Sequence, residues 1–225
     1  MVDQVRAVVQ DREAIAIPEE VVHTVSLDEL ALLDWKRKIF ALYAEVRATG
    51  SPESGWRRWC EVRSELYRTH PQSPRVGGEP AYFPYDPELR FEAAVEQAEP
   101  ATLEIEGSGR SKTRFGRFAV ARFGDTHLEL YWLEAYGGGV FLPFRDGTSG
   151  KETYGAGRYL LDTVKGADLG GGGDSLVLDF NFAFNPSCAW NDRWACPLAP
   201  PANRLALRIE GGELTPPAER AAGTP

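Results

Sequence analysis

Between Phe91 and Ile209 the chain runs through eight short segments rich in aromatic and β-branched residues, and no amphipathic helical pattern separates any two of them. They are Phe91 to Val95, Ala101 to Glu106, Arg114 to Phe123, His127 to Glu134, Val140 to Phe144, Thr153 to Asp162, Leu176 to Phe184 and Leu205 to Ile209. Gly, Asp or Pro punctuate them, as in consecutive antiparallel strands. A doubly wound parallel fold needs helices alternating with its strands, so that fold and its switch-point site are excluded. The expected body is an antiparallel β-barrel or sandwich of about eight strands over residues 76–214.

Ahead of it the period changes. Ser26-Leu27-Asp28-Glu29 reads as a capping box, and Leu30, Leu33, Ile39, Leu42, Tyr43 and Val46 then recur at spacings of three and four until Thr49-Gly50. Ser51-Pro52 starts a second helix with proline in the first turn. Its apolar stripe is Trp56, Trp59 or Cys60, Val62 or Arg63, Leu66 and Tyr67, and His70-Pro71 ends it. Residues 26–75 are therefore expected to form a helical hairpin packed on the body, giving an α+β protein. Residues 1–25 read as a leader without clear period, and 215–225, which include TPPAERAAGTP, as a disordered tail.

With 25 Lys+Arg against 33 Asp+Glu, the net charge of -8 opposes a nucleic-acid partner, which needs a basic stripe along the phosphates. Charges interrupt residues 1–20 at Asp3, Arg6, Asp11, Arg12 and Glu13, so that stretch is read as neither signal peptide nor membrane anchor. A cytoplasmic protein is expected, and three cysteines fit a compartment that keeps thiols reduced. Nothing in the pattern names a cofactor or an oligomeric state.

Strand alternation in LVLDFNFAFN sends Leu176, Leu178, Phe180, Phe182 and Phe184 to one face and Val177, Asp179, Asn181, Ala183 and Asn185 to the other. Asp and Asn are poor strand formers, so their line implies fixed hydrogen bonds, to a ligand or to loops folded over that face. In ETYGAGRYLLD, Tyr154 and Arg158 share a face and would meet that line if the two strands pair. Arg145 and Asp146 fall at the turn just before. Two guanidinium groups, a phenol, a carboxylate and amides suffice to grip a small carboxylate- or phosphate-bearing molecule. The same groups also suffice to neutralise one another as a buried network that locks loops.

FNPSCAWNDRWACPL, residues 184–198, carries Cys188 and Cys196 eight positions apart, outside the two-to-four-residue spacing usual for two thiolates on zinc. No metal site is therefore assigned. A disulfide there would close a short loop worth about 2.6 kcal/mol, given an oxidising compartment. A nucleophilic cysteine needs a base that no local motif supplies. The loop reads best as a lid, with Cys188, Trp190 and Cys196 covering a site whose polar groups come from the strands.

The segments HPQSP, YFPYD, FLPFRDGTSGKETYGAGRYL, LDFNFAFNPSCAWNDRWACPL and PPANRL, in that order, resemble a bacterial and archaeal family defined as a domain of unknown function. Its pattern runs approximately FxPFRDxTSGxETYGAGRYLD, then LDFNxAYNPxCAYxxxWxCPLPPxEN, then AGE. Arg145, Asp146, Thr148, Tyr154, Arg158, Asp179, Asn181, Asn185, Cys188, Cys196, Pro197 and Asn203 coincide with it. Phe184 and Trp190 replace tyrosines, Ala202 replaces a glutamate, and Gly211-Gly212-Glu213 replaces the closing AGE. The resemblance implies a defined site and names no chemistry.

The expected function is binding of a small polar or anionic molecule through Arg145, Asp146, Arg158, Asn181, Asn185 and Asn203. Two alternatives stand beside it. One is a hydrolase, lyase or isomerase in which Asp179 and Tyr154 transfer protons. The other is an interaction module whose signature only fixes loops.

Overall fold

The computed structural model describes residues 27–106 and 112–217. The leader over 1–25, Ser26 of the capping box and the tail beyond 217 lie outside them. Helix α1, Leu27–Ala48, buries Ile39, Leu42, Tyr43 and Val46. Helix α2, Pro52–Thr69, is capped by Ser51, whose hydroxyl accepts from the Ser54 N–H at 3.3 Å. Its inward face is Gly55, Trp59, Arg63, Leu66 and Tyr67. Arg63, not Val62, thus occupies the core-facing position, while His70 Nε2 contacts Asp34 Oδ2 at 3.1 Å and ties the end of α2 back to α1.

Six strands follow, all antiparallel to their neighbours: β1 Arg90–Glu106, β2 Lys112–Phe123, β3 Thr126–Leu133, β4 Val140–Phe144, β5 Arg158–Asp162 and β6 Ser175–Asp179. Their order is β5-β4-β3-β2-β1-β6. The sheet curls into an open half-barrel whose edges lie 7 Å apart, wider than the roughly 4.8 Å of paired strands. The expectation of a closed barrel or sandwich of eight strands is thereby corrected. The first two expected strands are one long strand with a register shift between Gln97 and Ala101. Leu205 to Ile209 forms no strand and instead follows the turn after β4 through bonds such as Gly147 N–H to Leu207 O at 2.8 Å.

The other two differences have local causes. Asp179 Oδ1 accepts the Asn181 N–H at 3.0 Å and so caps a 3-10 turn over Phe180–Phe182, which ends β6 just where closure would need it to continue. Among the described residues Tyr159 and Phe184 bridge the gap, exchanging two backbone bonds of 2.9 Å. The turn also breaks the alternation expected through Phe184: Phe180 enters the half-barrel core, whereas Phe182 packs with Trp59 and Leu42 beneath the hairpin. Residues 153–157, read as the start of a strand, belong instead to compact turns in which Thr148 O accepts the N–H groups of Lys151, Glu152 and Thr153. Gly157 completes them at φ +103, where a Cβ would lie 2.5 Å from Phe144 O. No residue with a side chain fits there without displacing β4.

Inside the curl, Leu128, Leu130, Leu142, Phe144, Leu160, Leu178, Phe180 and Ile209 form the main core. A second cluster joins the hairpin to Ala167, Leu169 and Phe182. A third, of Phe115, Tyr131, Phe141 and Tyr159, packs against Cys196. Among the described residues no helix is long and apolar enough to cross a membrane.

Candidate functional site

Arg158 leaves the start of β5 for the interior, and its charge is met where the chain turns after β4. The side chains of Arg158 and Asp146 are both fully buried, with Nη2 donating to Oδ1 at 3.3 Å. Asp146 also accepts the Thr148 hydroxyl at 2.8 Å, the Thr148 N–H at 3.1 Å and the Ile209 N–H at 2.8 Å. Because the Thr148 hydrogen goes to Asp146, the Thr153 hydroxyl donates to Thr148 Oγ1 at 2.8 Å. Arg158 reaches further to the carbonyls of Ile209 at 3.1 Å, Glu213 at 3.4 Å and Gly211. Burial pushes the Arg158 pKa down, and Asp146 opposes that shift.

A second buried pair joins the hairpin to the last described segment. Arg63 Nε donates to Glu213 Oε1 and Nη2 to Oε2 at 3.2 Å, while Tyr67 OH accepts from Nη2 at 2.8 Å. Glu213 Oε2 accepts the Asn185 N–H at 2.7 Å as well. The Arg63 guanidinium lies 4.5 Å from the Tyr67 ring centre and 5.0 Å from that of Phe184. Burial alone would lower the Arg63 pKa, yet the Glu213 carboxylate outweighs it and the net shift is upward. Arg63 lay in a stripe that offered Val62 as its alternative. The signal for it was a charge falling on a helix's apolar face.

The amides are equally engaged. Asn181 bonds Asp86 in both directions, accepting its N–H at 2.9 Å and donating to its carbonyl at 2.8 Å, and donates to Asp179 at 2.8 Å. Asn203 ties its turn to the Glu129 backbone at 2.8 and 2.9 Å and to Pro143 O at 2.8 Å. Asn185 Nδ2 donates to Leu214 O at 2.7 Å, leaving its buried Oδ1 unpartnered. Arg145 contributes backbone bonds to Asn203 and Leu205, and its half-buried guanidinium has no partner among the described residues. Asp179 and Tyr154 sit in different settings: Asp179 with Asn181 and, at 3.9 Å, Arg90, and Tyr154 with Cys188 at 3.9 Å.

Burial raises the Asp179 carboxyl from 3.8 to about 6, against the donors of Asn181. Its proton is held more tightly in the native state, so its stabilising contribution is full below pH 3.8 and is lost as pH rises through about 6. Asp179→Asn keeps an oxygen for Asn181 and has no proton to lose. Its stability relative to the parent is expected to climb between those pH values, levelling off about 3 kcal/mol higher by the linkage relation. Paired urea titrations at pH 4 and pH 7 check this, and a pH-independent difference would contradict it.

The loop over residues 184–198 packs Trp190 edge-on to Tyr67, with ring centres 5.0 Å apart. Cys188 N–H donates to Cys196 Sγ at 3.3 Å. Two open pockets lie beside these networks. One, of about 370 Å³, lies at one end of the half-barrel and is lined by Leu89, Phe91, Phe123, Phe180, Leu207 and Ile209, with Asp125 and Thr126 at the β2–β3 turn. The other, of about 180 Å³, is lined by Phe115, Phe141, Tyr159, Asp162, Lys165 and Pro197 among others.

Residues 79–214 match the model of a family described as "Protein of unknown function (DUF1684)". The chain belongs to this family. The solution NMR structure of an uncharacterized protein of Haloarcula marismortui resembles it with a TM-score of 0.51 and 30% sequence identity, covering 72% of this chain and 94% of that one. No curated protein matches. Asp146, Arg158, Glu213 and both loop cysteines fall within the stretch matched to DUF1684, while Arg63 and Tyr67 lie outside it. The buried carboxylate at the end of the DUF1684 match thus takes its charge partner from the helical hairpin.

Proposed function

We propose that this DUF1684 protein binds a small, largely apolar molecule at the mouth of its half-barrel. The observation that carries this reading is the cavity of about 370 Å³ walled by Leu89, Phe91, Phe123, Phe180, Leu207 and Ile209. A concave, mostly apolar space with a few polar groups at its edge is the usual form of a small-molecule site, and barrel mouths are among its usual places. The ligand class moves from polar or anionic to apolar because Asp146, Asn181 and Asn203, and Arg158 through both Nη atoms, spend their hydrogen bonds on the chain itself, leaving Arg158 Nε without a partner. In this reading the signature residues are the frame that holds the cavity's walls. Ile209, for example, lines the cavity while its backbone is held by Asp146 and Arg158.

Native mass spectrometry of freshly purified protein tests the proposal. An additional small-molecule mass that organic extraction removes, and that Leu207→Trp lacks, is the expected result. A retained mass that Leu207→Trp leaves unchanged would place the ligand elsewhere.

A further inference from the structure

The thiol loop carries chemistry that the apolar cavity does not use. Cys188 and Cys196 are both free and half-buried, and they meet across the turn made by Ser187–Ala189. The Cys188 N–H donates to Cys196 Sγ at 3.3 Å, and Tyr154 OH donates to Cys188 Sγ at 3.9 Å. Tyr159 OH donates to Pro197 O at 2.6 Å, which fixes the chain immediately after Cys196. Cys196 packs on the cluster of Phe115, Tyr131, Phe141 and Tyr159, three of which line the cavity of about 180 Å³. Lys165 lines the same cavity and has a largely exposed side chain, 3.0 Å from Asp162. Each of the two sulfurs thus accepts a hydrogen bond, Cys196 from its partner's backbone and Cys188 from a phenol.

We propose that Cys196 and Cys188 form a dithiol site that reduces small carboxylate-bearing disulfides, with Cys196 attacking and Cys188 resolving. The assignment of roles follows from the asymmetry of the pair. The Cys188 side chain and backbone N–H hold Cys196 below the ordinary thiol range, with the Lys165 charge adding to the effect, while the Cys196 sulfur and burial raise Cys188. Cys60 is the internal contrast: it sits on α2 against the second cluster, and burial pushes its thiol up to about 12. Among the described residues no group of three or more His, Cys, Asp or Glu is placed to hold a metal ion.

In the first step the Cys196 thiolate attacks one sulfur of the disulfide. A Cys196 mixed disulfide forms and the other half departs as a thiolate. Cys188 then gives its proton to a departing thiolate and attacks Cys196 Sγ, releasing the second half and leaving a Cys188–Cys196 disulfide. The two cysteines lose two electrons, which reduce the substrate to two thiols. The cavity beside Cys196 takes one arm of the substrate, and the Lys165 ammonium, with donors left over from Asp162, meets its carboxylate.

The test treats reduced, folded full-length protein with oxidised glutathione and follows intact mass and peptide maps. The parent protein is expected to lose the mass of two hydrogens, to link the Cys188 and Cys196 peptides, and to leave Cys60 free. Cys188→Ser should accumulate a glutathione adduct on Cys196, formed on the order of tenfold or more faster than any adduct on Cys60. Cys196→Ser should gain no adduct at Cys188 in that time. The proposal is overturned if the parent keeps three free thiols, retains glutathione, or is modified first at Cys60. Because the parent's own map decides this, a variant that folds poorly cannot rescue the idea.

Discussion

Arg158→Ala is expected to destabilise the protein by about 3–5 kcal/mol, the range for removing one partner of a buried ion pair. The substitution leaves the Asp146 carboxylate, whose side chain is fully buried, with neutral donors alone. It also strips a donor from the carbonyls of Ile209, Gly211 and Glu213, three buried residues. Arg158→Lys should recover little, since one ammonium cannot span the carboxylate and three carbonyls as a planar fork does. Urea denaturation reads the effect as a fall in midpoint with the slope unchanged. A loss under about 1 kcal/mol would mean that solvent already reaches the pair, as it does for exposed ones.

Glu213→Ala should cost a similar amount, about 3–5 kcal/mol, for a different reason. It strands the buried Arg63 charge against Tyr67 and Phe184 and removes the acceptor of the Asn185 N–H. The distinguishing measurement is a double-mutant cycle with Arg63→Met and Glu213→Leu. Removing both charges together avoids leaving either one unpaired, so the double variant should be more stable than the sum of the single losses predicts, by on the order of 3 kcal/mol. Additive losses would show that the pair is not coupled. The same cycle reports on architecture, because Arg63 belongs to α2 and Glu213 pairs by backbone with Tyr82 and Ala183.

The helical hairpin was legible because its signals are local. A 3.6-residue apolar period, Ser51-Pro52 at a start and Thr49-Gly50 at a stop each act within one turn of helix. Strand existence was legible too, but strand count was not. Phe180 and Phe182 keep the period of a strand while Asp179 caps a turn, and period alone cannot separate the two. The poor strand propensity of Asp179 and Asn181 was the visible sign, and it marked a strand end more than a binding face. Leu205 to Ile209 has strand composition and finds its hydrogen bonds irregularly along the turn after β4.

The candidate site divides along the same line. That Asp146, Arg158, Asn181 and Asn203 make fixed hydrogen bonds was readable from residue type, yet their partners beyond the local turns are set by pairings 12 to 95 positions apart. The proximity of Cys188 and Cys196 to Tyr159 and Lys165 likewise depends on how the loop returns over β5, which no spacing rule encodes. The apolar cavity was invisible in sequence because each of its walls reads as ordinary core.

In the proposed function the apolar mouth of the half-barrel, and not the polar signature around Arg145, seats the small molecule. Fluorescence titration with Nile red, an uncharged apolar dye, tests it on the parent, on Leu207→Trp and on Arg145→Ala. Saturable binding at one site is predicted for the parent, loss of that binding for Leu207→Trp, and unchanged affinity for Arg145→Ala. Binding that survives Leu207→Trp and disappears with Arg145→Ala would contradict the account.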